Sequence, residues 1–422
     1  MEPKPLSKKI IFSCFLASFL EIYDFAIFGF FLNVLHKNYL SFLSETTAVI
    51  ISYAFFAIGF LFRPLGSLIF GYIGDTYGRK TSLVTSVTIM GLASFAMFIL
   101  PPYDMIGVTS CFLIVLIRIL QGISVGGEFT GALVFVVEHN KNNKAGFVAG
   151  IVTAGGACGV LLANLVSKIV QNPALPDYSW RFAFLIGFGL SLVGFFIRRR
   201  ISDTPVFIES KRVKIPLFEG LKNCKIESFA TLWVAAANGT TFYFGTVYLY
   251  QLLKNNRTDH DFDFVPILVS IIVATLVPFF GSYSDKINRK LFLSFSALLM
   301  GLYCVFGINL IVEAKSVLMV AVYVAIYAFL AAMMIGSINI FTIEIFPPTY
   351  RMSCSSLFYS LGMGFIGGTV PMVASYLKEA YNGSLFYIGL YIALVCFAAS
   401  ISALLVYIKH LKISKYFKQR LQ

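Results

Sequence analysis

Glu21 and Asp24 stand three residues apart inside an apolar run near the start of the chain, and Arg63 lies inside the next run. An ionisable group near a bilayer centre costs at least about 2.5–3.5 kcal/mol, so each one demands a purpose. On a helix, Glu21 and Asp24 share a face. At 1.5 Å per residue they lie roughly 18–22 Å along their run, and Arg63 lies about 18 Å from the far end of its own. Acid and guanidinium therefore fall at similar depth and can pair. The chemistry this allows is proton exchange. With Asp24, or Glu21 beside it, protonated, a neighbouring Arg is released to bind a substrate; deprotonation restores the internal pair. Two close carboxylates in low dielectric also resist double ionisation, which favours proton uptake. The same residues could instead form a permanent ion pair tying two helices together.

A later run carries Arg118, Gln121 and Glu128. Their spacings of three and seven make one polar stripe, which must face a cavity or another helix and not lipid. Gly122, Gly126 and Gly127 beside it allow a neighbouring helix to approach closely. The expected proton-coupling set is thus Asp24, Glu21, Arg118 and Glu128. Arg63, Arg118 and Gln121 are expected to contact substrate, and two cavity arginines favour a ligand with a carboxylate. In the second half, Asn238, Thr241 and Tyr243 are candidate substrate contacts in a polar, aromatic stretch. Ordinary packing and interfacial aromatics are the competing account of that stretch.

The elements that must position these residues follow from composition. The chain has 422 residues, 58% hydrophobic and 13% charged, with a mean hydropathy of +0.82. Soluble domains carry about 25% charged residues, so lipid must cover much of this surface. A helix needs about 20 apolar residues to cross a bilayer. Such runs predict twelve spans: 10–35, 46–72, 81–100, 106–138, 145–170, 180–198, 226–252, 264–283, 291–312, 316–346, 352–377 and 385–409. The first is too long for a signal peptide and carries two acids, so it reads as a retained helix.

The net charge of +13 does not point to nucleic acid, because the cations cluster in loops between apolar runs. Of the 33 Lys and Arg, 24 fall on the loop set that includes both termini and seven on the opposite set. That asymmetry predicts cytoplasmic termini. Seven scattered cysteines without a CxxC pair read as free thiols, and four scattered histidines make a metal site improbable.

One loop reads Gly71-Tyr72-Ile73-Gly74-Asp75-Thr76-Tyr77-Gly78-Arg79-Lys80, and another, 210 residues on, reads Gly281-Ser282-Tyr283-Ser284-Asp285-Lys286-Ile287-Asn288-Arg289-Lys290. Each follows the second span of its half. The repeat predicts two six-helix bundles, residues 1–198 and 226–422, joined by a cytoplasmic loop at 199–225, with a substrate site between the halves. Gly71 and Gly78 are expected to permit close approach and a left-handed turn. Asp75 is expected to cap the following backbone, with Arg79 and Lys80 pinning the loop. Asn288 replaces Gly in the second copy and is expected in the left-handed region.

The Gly71–Lys80 turn resembles the signature of the major facilitator superfamily. Glu21-Ile22-Tyr23-Asp24-Phe25, Arg63-Pro64-Leu65-Gly66, Arg118 through Glu128, Asp203-Thr204-Pro205 and the stretch from Glu344 through Arg351 to Gly368 resemble its metabolite:proton symporters. The resemblance implies an all-α membrane protein with twelve transmembrane helices, driven by the proton gradient with no cofactor. It also implies a charge latch in which Glu138 joins Asp75 and Arg79, with Asp285, Arg289, Glu344 and Arg351 as second-half candidates; a solvated helix-end acid is the alternative for Glu138. The expected partners are a small-molecule substrate, protons and the bilayer, with no nucleic acid. A monomer in a bacterial inner membrane is the expected setting.

Two departures stand out. Ile22 occupies the place of the usual Trp, and too little chain follows Lys409 for the coiled-coil tail of proline/betaine carriers. Symport of an organic acid, proline or betaine is the expected activity. A proton antiporter is disfavoured because the 150–159 region of span five lacks Pro. An uncoupled facilitator would leave the acids of span one idle, and a nutrient receptor would be expected to append a signalling domain. No HExxH, Ser/His/Asp grouping or His cluster suggests an enzyme.

Overall fold

The computed structural model describes residues 7–140, 144–210, 213, 215–256 and 262–420. Among these every regular element is helical. The chain divides into two compact units, one of Met1–Lys141 with Val152–Lys214, the other of Asn142–Ile151 with Ile215–Gln422.

The first ten helices are α1 (Lys8–Phe30), α2 (Leu32–Tyr39), α3 (Glu45–Leu61), α4 (Arg63–Thr76), α5 (Arg79–Ile99), α6 (Tyr103–Ile106), α7 (Thr109–His139), α8 (Ala145–Val170), α9 (Arg181–Arg199) and α10 (Pro205–Glu209). Within the first unit, α5 packs along α7 and α9, while α7 also receives α1, α3 and α4. Sequence dictates this closeness. A Cβ at Gly126 would stand 2.2 Å from the Arg63 carbonyl oxygen, and one at Gly122 would stand 2.4 Å from that of Gly59. The expected close approach beside the α7 stripe is therefore present, and its partner is the α3–α4 pair. At one end of the unit Phe31, Tyr39, Trp180 and Phe184 form an aromatic cluster. Burial pushes the Tyr39 hydroxyl up to about 12, so it keeps its proton and donates it to the Leu100 carbonyl at 3.1 Å.

The remaining helices are α11 (Pro216–Asn223), α12 (Lys225–Tyr243), α13 (Leu249–Asn256), α14 (Phe264–Ser284), α15 (Arg289–Glu313), α16 (Val317–Glu344), α17 (Arg351–Ser360), α18 (Val370–Ala380) and α19 (Phe386–Arg420). Two π-helical segments interrupt this half. Phe244–Tyr248 joins α12 to α13, and Leu361–Gly367 lies between α17 and α18. The second π segment packs along α12, where a Cβ on Gly367 would meet the Gly239 Cα at 2.5 Å.

Eleven helices among the described residues are long and apolar enough to cross a membrane. Each corresponds to a predicted span. The remaining prediction, 226–252, is also helical, running through α12, the π segment and α13. Its content of Asn238, Thr240, Thr241 and Tyr243 keeps it less apolar than the others. The segment predicted as a loop at 199–225 contains α10 and α11.

Candidate transport site

Four helices, α1, α4, α5 and α9, build the acidic centre of the first unit. Glu21 is buried on α1 and its Oε1 accepts a hydrogen bond from Arg63 Nη2 at 2.6 Å. Arg63 is the first residue of α4, where Pro64 at the next position needs no amide partner. The Arg63 guanidinium also lies 5.8 Å from the Phe25 ring and 5.9 Å from that of Phe60. The acid–Arg pairing predicted at similar depth is thus present.

Asp24 turns elsewhere. Its Oδ2 accepts from Ser94 Oγ of α5 at 2.8 Å, and its buried Oδ1 has no hydrogen-bond partner among the described residues. Gly187 of α9 leaves the room it occupies, since a Cβ there would stand 2.3 Å from Asp24 Oδ1. The expectation that Glu21 and Asp24 present one shared face is therefore corrected. A separation of three residues is about 60° around a helix. In a crowded bundle that sends one carboxylate to α4 and the other to α5 and α9.

Arg118 is fully committed inside the unit. Its Nε donates to the Phe55 carbonyl and its Nη2 to the Phe56 carbonyl, each at 3.1 Å, and Nη1 donates to Gln121 Oε1 at 2.8 Å. The ring of Phe28 lies 4.1 Å from its guanidinium and that of Phe25 4.7 Å. Gly59 makes the space, because a Cβ there would meet Arg118 Nη2 at 2.5 Å. Asp24 is near enough to interact with the Arg118 charge, while Gln121 Nε2 is buried without a hydrogen-bond partner among the described residues.

The continuous stripe expected on α7 breaks in two. Arg118 and Gln121 stay together, but Glu128 joins a different centre. Its Oε1 lies 2.6 Å from Arg198 Nη1 of α9, and its Oε2 accepts from Ser86 Oγ of α5. Seven residues are not quite two turns, and over 10.5 Å of rise the neighbouring helices change. Arg198, the last residue of the span predicted at 180–198, is buried and also donates to the Leu83 carbonyl at 2.9 Å. The signal for it was an acid with no assigned cation in the same bundle.

The repeated turns share a geometry. In the first unit Arg79 is enclosed, its Nη1 donating to Asp75 Oδ1 at 2.7 Å and to the Gly74 carbonyl at 2.6 Å. Its Nε and Nη2 reach Glu138 at the end of α7, each at 3.2 Å. Thr204 Oγ1 donates to Glu138 at 2.6 Å, and Phe207 of α10 lies 5.2 Å from the guanidinium. Lys80 donates its ammonium to the Arg199 carbonyl at 2.9 Å. The backbone N–H of Lys80 goes to Asp203. Gly71 is buried in α4, and Gly78 has φ +117°, as the turn was expected to need.

In the second unit Arg289 repeats the arrangement. Its Nη2 donates to Asp285 Oδ1 at 2.6 Å and its Nη1 to Glu344 at the end of α16. Arg351 Nε donates to the Phe346 carbonyl at 3.1 Å. The first trio is sealed from solvent, whereas Glu344 is 42% exposed. Asn288 corrects an expectation: its φ is −69°, not left-handed, and its side chain caps α15 by accepting the Leu291 N–H at 3.3 Å.

The polar stretch of α12 is buried. Asn238 Nδ2 donates to Tyr359 Oη at 2.7 Å, and Tyr327 Oη donates to the Thr241 carbonyl at 2.6 Å. Tyr243 is half-buried. The second half also buries charge. Glu227, 3% exposed, takes Lys409 Nζ at 2.7 and 2.9 Å, and Lys290 Nζ lies 2.7 Å from His410 Nδ1. Among the described residues no group of His, Cys, Asp and Glu could hold a metal ion.

Buried ion pairs held between separate spanning helices, with one Asp–Arg–Glu trio recurring in each unit, mark a helical membrane protein built on an internal repeat. The chain belongs to the Major Facilitator Superfamily, whose family model matches residues 14–367 and 255–416; it is a membrane transporter and not an enzyme. The proline/betaine transporter of Escherichia coli (strain K12) is 27% identical over 398 residues, which cover 88% of this chain and 78% of that protein. The proline/betaine transporter of Salmonella typhimurium is 28% identical over the same span and coverage. Among solved structures, a proton:xylose symporter bound to 6-bromo-6-deoxy-D-glucose matches with a TM-score of 0.73 at 16% identity, covering 93% of this chain and 94% of that one.

Proposed function

We propose that the chain is a proton-coupled symporter that imports a small carboxylate or zwitterionic metabolite, of the proline or betaine kind, by alternating access. The observation that carries this reading is the buried Glu21–Arg63 pair beside the singly hydrogen-bonded carboxylate of Asp24. The names of the relatives support the substrate class, and a bundle with two independent buried acids supports proton coupling.

In this mechanism Glu21 occupies Arg63 while the site is empty. Protonation of Glu21 frees the Arg63 guanidinium to take the substrate carboxylate, and loss of the proton on the far side of the cycle restores the pair and expels the substrate. Asp24 binds the second exchangeable proton, with Arg118 holding the α1–α3–α7 junction and countering its charge. Gln121, Asn238, Thr241 and Tyr243 complete the substrate contacts. The trios at Asp75–Arg79–Glu138 and Asp285–Arg289–Glu344, with Arg351 beside the second, act as latches on the side of the termini. That side is the cytoplasm of a bacterial inner membrane, the protein works as a monomer, and the proton gradient replaces any cofactor.

Proteoliposomes loaded with a pH dye test this under an inward proton gradient with proline, betaine and small organic acids outside. Substrate-dependent acidification that disappears in Glu21→Gln and is reduced in Asp24→Asn is the expected outcome. Uptake of radiolabelled substrate without proton flux would make the chain an uncoupled facilitator, and substrate-dependent alkalinisation would make it an antiporter.

A further inference from the structure

We propose that α11 is an interfacial helix whose exposed edge docks on the anionic headgroup surface of the adjacent membrane leaflet. The helix is anchored to its unit from one side only. Pro216 and Gly220, four apart, are buried, and Gly220 sits so close to α17 that a Cβ would stand 2.2 Å from Cys354 Sγ. The opposite edge carries Ile215 at 61% exposure, Phe218 at 67% and Leu221 at 39%. Three large apolar groups on so short a stretch are a poor surface for water.

Lipid is the occupant because of where the helix is tethered. One residue, Cys224, separates α11 from Lys225, the first residue of α12, so α11 cannot leave the membrane boundary. Exposed Lys222 and Lys225 flank the apolar edge, and Lys211, Arg212 and Lys214 precede it in sequence. Against these stand Glu209 and Glu219. Exposed apolar groups on a helix preceded and followed in sequence by an excess of basic residues suit a surface rich in anionic headgroups.

The test places tryptophan at position 218. Phe218→Trp and its parent are reconstituted in vesicles of phosphatidylcholine alone or mixed equally with phosphatidylglycerol, with brominated acyl chains. The difference in emission isolates residue 218 from Trp180 and Trp233. The expected result is quenching by bromolipid at least twofold stronger in the phosphatidylglycerol vesicles, with matching protection from aqueous acrylamide. Lys222→Gln with Lys225→Gln should remove that excess. Free access of acrylamide in both vesicles would overturn the docking, and equal bromolipid quenching in both would overturn the anionic preference. Leu221→Trp provides the same readout should Phe218→Trp fail to assemble.

Discussion

Arg198 holds Glu128 at 2.6 Å inside the first unit, although one stands at the end of α9 and the other in the middle of α7. Removing one member of a buried pair leaves an uncompensated charge, which costs about 3–5 kcal/mol. Arg198→Gln should therefore lower stability by that order. Arg198→Gln with Glu128→Gln should recover most of it, measured by thermal unfolding of the purified protein in detergent. An additive double variant would mean that the two charges do not interact.

The Glu21–Arg63 pair should behave differently in transport. Glu21→Gln leaves Arg63 without its buried counter-ion, so substrate should bind without a proton and accumulate less. Equilibrium binding at pH 8 should be retained or tightened while gradient-driven uptake falls at least tenfold. Weakened binding together with lost uptake would reduce the pair to a structural tie.

Gly187 gives access to Asp24 without touching a charge. Gly187→Ala places a methyl where Asp24 Oδ1 now lies, 2.3 Å from the new atom, so the carboxylate must move off Ser94. Proton-coupled uptake should fall at least tenfold, with surface expression close to that of the parent. Unchanged acidification in proteoliposomes would show that the position of Asp24 is not critical.

The two repeated turns should respond unequally to exchange of Gly78 and of its counterpart Asn288. Gly78 has φ +117° and ψ 147°, a region that side-chain-bearing residues enter at a cost of about 1–3 kcal/mol. Its added Cβ would also meet Asp203 Oδ2 at 2.1 Å. Gly78→Asn should therefore destabilise strongly. Asn288→Gly loses only a helix cap, worth a few tenths of a kcal/mol on replacement by Gly. Thermal midpoints of the two variants settle the comparison; equal shifts would contradict it.

The contrast between those turns shows what was legible in the sequence. Apolar run lengths located the spans, and the Asp–Arg spacing of four located both halves of each latch, because local geometry dictates those contacts. Glu21 and Arg63 could be paired by counting depth along two helices. Arg198 could not, since its hydropathy neighbourhood is that of a loop and only the packing of α5, α7 and α9 shows that it turns inward. Ser94, Tyr327 and Tyr359 were missed for a related reason. They are common residues in apolar helices, and their importance lies in facing Asp24, Thr241 and Asn238. Asn288 misled because one residue type serves two ends, the left-handed backbone and the side-chain cap.

The π-helical turn at Phe244–Tyr248 has a consequence for any attempt to assign faces on the seventh span. A single extra residue in a turn rotates everything beyond it by about 100° relative to an uninterrupted α-helix. Drawn as a regular wheel from Lys225 onward, the span would put Leu252 about five turns beyond Val234 and on its side; with the offset applied that place falls to Leu253, and both leucines are buried. Deleting one residue within 244–248 would let the span run as a regular α-helix with its two flanks in their present phase, so the irregular turn is what absorbs an additional residue between the polar stretch at Asn238 and the far end of the helix.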